Sequence, residues 1–159
     1  MEIRQHVRGI AHDTDVAKIT VAGVPDRPGI AYAIFAPLAE AGVSVDVIVQ
    51  TANLAGNAEI SFTVGGADYN RALQIAEQVG RDLGATVEGA PGLAKVSIVG
   101  TGLQSAPGYA AKMFGTLAEH AINIDTITTS DIRITCVIRE GSAAAAVRAL
   151  HAAFELDSN

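Results

Sequence analysis

A stretch near the start of the chain returns near its middle. Ala17 to Gly23, AKITVAG, recurs as AKVSIVG at Ala94 to Gly100, an offset of 77 residues. Pro28-Gly29 recurs as Pro107-Gly108 at an offset of 79, so the second copy carries two extra loop residues. The match continues in order: Glu40, Val43, Val45 and Asp46 meet Glu119, Ile122, Ile124 and Asp125, and Arg71-Ala72-Leu73 meets Arg148-Ala149-Leu150. So many ordered anchors describe one structural unit used twice. A length of 159 residues allows one ordinary domain or two small ones, and the repeat decides for two of about 70 to 80 residues.

The first copy reads element by element. Ile19, Val21 and Gly23 alternate with Lys18, Thr20 and Ala22, the period of a half-buried strand. Pro28 and Gly29 open a helix whose apolar positions Ile30, Ile34 and Leu38 recur every four residues, and Gly42 ends it. Pro37 removes one backbone hydrogen bond inside that helix, which predicts a kink or a frayed last turn. Val45, Val47 and Val49 mark one face of the next strand, and a polar turn from Ala52 to Asn57 leads into a third with Ile60, Phe62 and Val64, antiparallel because the connection is short. A helix over 68–83 places Leu73, Ala76, Val79 and Leu83 at core spacing, and Thr86 to Gly89 offers a short fourth strand. The order is βαββαβ: an α+β fold, ferredoxin-like, with two helices on one face of an antiparallel sheet.

The second copy repeats this with strands over 95–100, 123–128 and 132–138 and helices over 108–121 and 142–154. Too few residues follow to form its last strand, which leaves a sheet edge open. Segment 6–12, apolar at Val7 and Ile10, has no role in the first copy, and exposed edges are usually covered. It is therefore expected to cross over and complete the second sheet. The expected organisation is a pairing segment over 1–16, a first domain over 17–90 and a second over 91–159.

Composition excludes several functions. Hydrophobic residues make up 49% of the chain but aromatics only 4%, with no Trp, so the core must be aliphatic and the layers thin. Net charge is -6 with Lys and Arg scattered, which leaves no footprint for nucleic acid or an anionic membrane. The sole cysteine, Cys136, sits in an apolar strand-like run and reads as a small buried hydrophobe. The start of the chain is charged where a signal peptide needs its apolar region, and no run approaches a membrane span, so a cytoplasmic protein is expected. His6, His12, His120 and His151 lack zinc spacing, and His12 to Asp15 reads as a solvated turn, so no metal and no cofactor are expected. Gly100-Thr101-Gly102 follows a strand but lacks the third glycine of a dinucleotide fingerprint, and no phosphate loop or nucleophile motif occurs.

One constellation carries chemistry. Val24-Pro25-Asp26-Arg27-Pro28-Gly29-Ile30-Ala31 forms a strand-to-helix turn stiffened by two prolines. Gly29 permits close approach, and the helix start presents unpaired N–H groups with partial positive charge, suited to a carboxylate. Asp26 could accept from an ammonium group, so the turn offers both halves of a site for a zwitterion. The same residues also fit a turn in which Asp26 merely caps the helix.

The Pro-Asp-Arg-Pro-Gly turn, the Val-Ile-Val-Gln run at Val47 to Gln50, and the stretches Ala-Lys-Val-Ser-Ile-Val-Gly, Ile-Asn-Ile-Asp and Thr-Ser-Asp-Ile-Arg-Ile-Thr together resemble the regulatory part of bacterial aspartokinase, and the tandem repeat resembles its pair of ACT domains. The resemblance runs from about Val7 to Leu156. It implies feedback control by threonine, lysine or both over the phosphorylation of aspartate, by a chain that is not itself an enzyme. The family's amino-acid kinase domain is absent, so the chain resembles a separate regulatory β subunit or an excised regulatory fragment. The implied partners are a second copy of the chain and a catalytic aspartokinase subunit or domain, and the implied effector site lies where one chain's first ACT domain meets the other's second.

Carried over by position, Asp26 would take the ammonium group and the amides of Gly29, Ile30 and Ala31 the carboxylate. Gln50 would face the ligand, and Asn123 and Ile124 would close the pocket from the partner chain. A pseudo-equivalent second site would use Gln104, Ala106, Gly108, Ala110 and Thr129 with Ser44 and Val45. There Gln104-Ser105-Ala106 replaces Pro25-Asp26-Arg27, so the acid is gone. Threonine is the expected effector, because nothing in the first site supplies a second acid for a lysine side chain. The competing expectation is a structural dimerisation module that binds no ligand.

Overall fold

The structure, a computed structural model, describes residues 7–105 and 107–156. Among the described residues six strands and four α-helices follow in the order β1 (Val7–Pro25), α1 (Ile30–Glu40), β2 (Ile48–Ala52), β3 (Asn57–Gly65), α2 (Tyr69–Leu83), β4 (Thr86–Gly100), α3 (Gly108–Glu119), β5 (Thr126–Thr129), β6 (Arg133–Arg139) and α4 (Ala143–Ala153). The chain divides into two compact units, one from Asp15 to Gly92 and one from the described residues on either side. Each long strand, β1 and β4, therefore serves both units.

In the Asp15–Gly92 unit, β3 runs antiparallel to β1 on one side and β2 on the other, with β4 beyond β1. Ile19, Val21, Ile60, Phe62 and Val64 share one face and pack with Ile30, Ile34 and Leu38 of α1 and Ala72, Ala76 and Val79 of α2. Burying such aliphatic side chains stabilises by about 1.5–3 kcal/mol each, which offsets the shortage of aromatics. Leu73 and Leu83, expected in this core, are only half-buried; Ala72 and Gly80 face inward, since α2 turns its small residues to the sheet.

The other unit repeats the plan. β6 is antiparallel to β4 and β5, and Val96, Ile98, Ile134, Cys136 and Ile138 pack with Met113, Leu117, Ala146 and Leu150 of α3 and α4. Its remaining strand comes from the start of the chain, because β1 neighbours β4. Val7 is buried among Ala94, Val96 and Ile98, Ile10 packs on the same cluster, and Asp13 lies 3.6 Å from Lys95 Nζ. The beginning of β1 thus fills the edge that the second repeat leaves open. Residues 1–6 of the expected pairing segment lie outside the described residues. On the sheet face away from the helices both units carry a cross-strand hydroxyl pair, Thr20 with Ser61 at 3.0 Å and Ser97 with Thr135 at 2.7 Å.

Three local expectations change. His12 to Asp15 is not a turn but part of β1, with Asp15 in the left-handed region at φ 57. The run from Val45 does not extend β2, which begins at Ile48. Thr63 breaks the ladder there: its hydroxyl accepts from the Val47 N–H at 3.0 Å, while its own N–H donates to Val47 O. Consequently Val49 shares the open face with Ser61, and Ile48 and Gln50 share the helix-covered face with Phe62 and Ile60. The last turn of α1 is not frayed, since the Ala41 N–H donates to Pro37 O at 3.1 Å and the Val43 N–H to Leu38 O at 2.9 Å; the bond that Pro37 cannot make is the one to Ala33 O.

Candidate functional site

The turn between β1 and α1 is built by conformations that its sequence makes available. Gly23, at φ 78, is skipped in the β1–β3 register between Ala22 and Val24, a bulge that bends the end of β1. The Asp26 N–H then donates to Gly56 O at 3.0 Å, tying the turn to the β2–β3 hairpin. Gly29 is the N-cap of α1 at φ 92 and ψ -11, and no side chain caps the helix. Asp26 is therefore not a cap.

With the cap absent, the first-turn amides have no intrahelical acceptor; the helical bonding begins with the Ala33 N–H to Gly29 O at 3.0 Å. Gly29 and Ala31 are exposed, and the Ile30 side chain is buried, anchoring the helix start to the core. Asp26 is exposed too. Among the described residues, the turn therefore presents a carboxylate without a partner at its beginning and N–H groups without an acceptor three to five residues later. Those are opposite charges facing solvent on one short segment.

Gln50 is exposed on the helix-covered face of β2, across from Ile60. β3 lies between β2 and β1, so its backbone stands about two strand spacings, roughly 10 Å, from the end of β1. Asn123 and Ile124 lie between α3 and β5 in the other unit, Asn123 exposed and Ile124 half-buried against that unit's core. Ser44 and Val45 occupy the matching stretch between α1 and β2, Ser44 exposed and Val45 half-buried.

The second turn is shaped differently. A 3-10 turn, Leu103–Ser105, precedes α3, whose N-cap is Pro107 at φ -61; Gly108 lies within the helix. Ala106 lies outside the described residues. Gln104, Ala110 and Thr129 do come together, lining with Leu103 and Pro107 an open cavity of about 310 Å³. Gly108 is not in its lining.

The β2–β3 hairpin is the part of the site that the repeat and the motifs did not reveal. Asn53 and Gly56 hold the turn through a backbone contact, and the only sequence signal is an Asn and a Gly inside a polar turn. Tyr32, 78% exposed in the first turn of α1, also borders the site. Among the described residues no three His, Cys, Asp or Glu side chains come together as a metal site, and no helix is long and apolar enough to cross a membrane.

Two βαββαβ units with these turns define a tandem pair of ACT domains, and the ACT domain family model matches residues 19–79 and 96–154. An aspartate kinase of Stutzerimonas stutzeri is 46% identical over 153 residues, 96% of this chain and 37% of that protein. The regulatory subunit of aspartate kinase from Thermus thermophilus, in its ligand-free form, superposes with a TM-score of 0.87 at 43% identity, covering 94% of this chain and 99% of that one. A structure of aspartokinase alpha and beta subunits matches with a TM-score of 0.85 at 44% identity over 94% of this chain and 99% of that chain. The chain belongs to the aspartokinase family, as its tandem ACT regulatory region. It spans 37% of the length of the first curated relative, and what it matches is the regulatory part and not the catalytic domain.

Proposed function

We propose that this chain binds an end-product amino acid, threonine, at an interface between two of its copies and thereby mediates feedback inhibition of a catalytic aspartokinase subunit or domain in the cytoplasm. The observation that carries the reading is the uncapped start of α1 behind an exposed Asp26, whose carboxylate makes no hydrogen bond or ion pair among the described residues. The amides of Gly29, Ile30 and Ala31 receive the effector carboxylate, and Asp26 receives its ammonium group. Gln50 reaches the ligand from β2, and Asn123 and Ile124 of a second copy close the site, Asn123 reading the threonine hydroxyl. Between Val24 and Ala31 the one acid is Asp26, already engaged by the α-ammonium, so a lysine side chain finds no partner there. The second site, around Gln104, Ala110 and Thr129 with Ser44 and Val45, lacks such an acid altogether.

The copies meet through sheet edges. Ile48 on β2 and Ile127 on β5, at the repeat offset of 79, are 47% and 44% exposed on the two edge strands. Unpaired edges with apolar side chains favour association, and that observation also suits a dimerisation module without ligand. Inhibition then needs only differential affinity: the effector binds one quaternary arrangement better than another, with a coupling of about 1–3 kcal/mol. Calorimetric titration of the chain with L-threonine and L-lysine, read beside its sedimentation behaviour, tests the reading. Threonine heat with a saturable isotherm is expected; a dimer that binds neither amino acid would leave the ligand-free module.

A further inference from the structure

Asn53 occupies an unusual position in the β2–β3 hairpin. Its N–H donates to Asn57 O at 2.9 Å, and its own carbonyl accepts from the Gly56 N–H at 3.3 Å. Its side-chain Oδ1 accepts twice, from the Ala55 N–H at 3.0 Å and the Asn57 N–H at 3.1 Å. The side chain thus supplies the acceptor that closes the hairpin, which frees the backbone carbonyl of Asn53 to hold Gly56. Gly56 adopts φ 84, and its carbonyl is the one that accepts the Asp26 N–H at 3.0 Å. One residue therefore fixes three loop amides and, through the last of them, the carbonyl to which the zwitterion turn is tied.

The other unit carries the same device on different residues. The Leu103 N–H of the second turn donates to Asp131 O, in the β5–β6 hairpin, at 2.9 Å. That hairpin is held by Ser130, whose Oγ accepts from the Ile132 N–H at 3.4 Å. A hairpin carbonyl gripping a turn amide recurs at both positions, so the contact is a property of the unit. Asn53, whose Oδ1 accepts two bonds of 3.0 and 3.1 Å where the Ser130 hydroxyl accepts one at 3.4 Å and donates one to Arg133 O at 3.5 Å, is the firmer version, and it stands at the turn that retains the acid.

We propose that Asn53 is a positioning residue for effector binding: its Oδ1 organises the β2–β3 hairpin so that Gly56 O sets where Asp26 stands relative to the amides of Gly29, Ile30 and Ala31. The inference rests on the effector reading above. It makes no contact of its own with the ligand; it removes freedom that the turn would otherwise lose on binding.

The test compares Asn53→Ala with Asn53→Asp, which keeps an acceptor oxygen at the same place. Affinity for L-threonine is read by calorimetry, and hydrogen exchange of the Asp26 and Ile19 amides by NMR. Asn53→Ala is expected to bind about five- to tenfold more weakly, the loss typical of one organised hydrogen bond, and Asn53→Asp within about twofold of the parent. The Asp26 amide should lose protection in Asn53→Ala and regain it in Asn53→Asp, while Ile19, in the middle of β1, stays protected in both. Equal affinity in Asn53→Ala, or failure of Asn53→Asp to restore it, overturns the proposal. If the parent protein binds neither threonine nor lysine, the effector reading is what fails. The Asp26 exchange still decides whether Asn53 holds the turn: unchanged protection in Asn53→Ala refutes it.

Discussion

Gly80 of α2 stands against Val87 of β4 so closely that a Cβ at residue 80 would lie 2.7 Å from Val87 Cγ2 and 3.5 Å from Ala85 O. Two effects oppose each other in Gly80→Ala. Helix propensity favours alanine by about 1 kcal/mol, and overpacking a tight contact costs about 1–3 kcal/mol. The contact should win, giving net destabilisation of about 1 kcal/mol in urea unfolding. Val87→Ala opens the space, so the double variant should be more stable than the sum of the single changes by about 1 kcal/mol. Additivity of the two substitutions would show that helix and strand can part at no cost.

Cys136 is fully buried in β6, and burial pushes its thiol up from 9.0 to about 12. The folded state therefore holds this proton more tightly than the unfolded state, and the stability it represents is complete below pH 9. It is lost as pH rises from 9 toward 12, at up to about 1.4 kcal/mol per pH unit. Urea unfolding of the parent and Cys136→Ala at pH 8, 9 and 10 checks this: the difference between the two proteins should shift in favour of Cys136→Ala as pH rises. A difference independent of pH over that range contradicts it. An aromatic disulfide reagent should likewise find the thiol only after unfolding.

Asp26 offers a clean separation of binding from stability, because its exposed side chain has no partner to lose among the described residues. Asp26→Ala should unfold within about 0.5 kcal/mol of the parent. It should nonetheless show no threonine heat in calorimetry, since the ammonium group would lose its counter-charge. Retained affinity would remove Asp26 from the site.

The repeat was legible because both copies keep the alternation of their strands and the four-residue period of their helices, and those periods report burial directly. Joining across the copies was only half legible. The open edge of the second copy pointed to the segment around Val7 and Ile10, but nothing in the sequence says that β1 and β4 run without interruption, since Asp15 and the glycines near residue 90 read as breaks. The start of β2 is not legible in its own sequence, because a hydroxyl from another strand, Thr63, decides it. In the site, Asp26 and Gly29 stood out through proline and glycine chemistry. Asn53 did not, because its consequence lies in a turn distant in sequence, and an Asn in a polar hairpin looks the same whether or not its neighbour's carbonyl is in use.

Gly29 and Gly108 occupy the same place in the repeat, yet opposite responses to alanine are expected of them. Gly29 is the N-cap of α1 at φ 92, with no atom within 4 Å of where a Cβ would be, so crowding contributes nothing. What alanine meets there is the backbone conformation alone, about 1–2 kcal/mol for an L residue held left-handed. Gly108 is inside α3 at ordinary helical angles, Pro107 being the N-cap, and a Cβ there also meets open space. Alanine at that position removes the glycine penalty of a helix, a gain of a few tenths to about 1 kcal/mol. Gly29→Ala should therefore lower the urea midpoint and weaken threonine binding, because relief of the strain would swing the Ile30 and Ala31 amides away from Asp26. Gly108→Ala should raise the midpoint and leave binding at the first turn unchanged. Shifts of the same sign would mean that the two turns share one conformation, and that the difference between an acid-bearing site and an acid-less one is not built into the backbone.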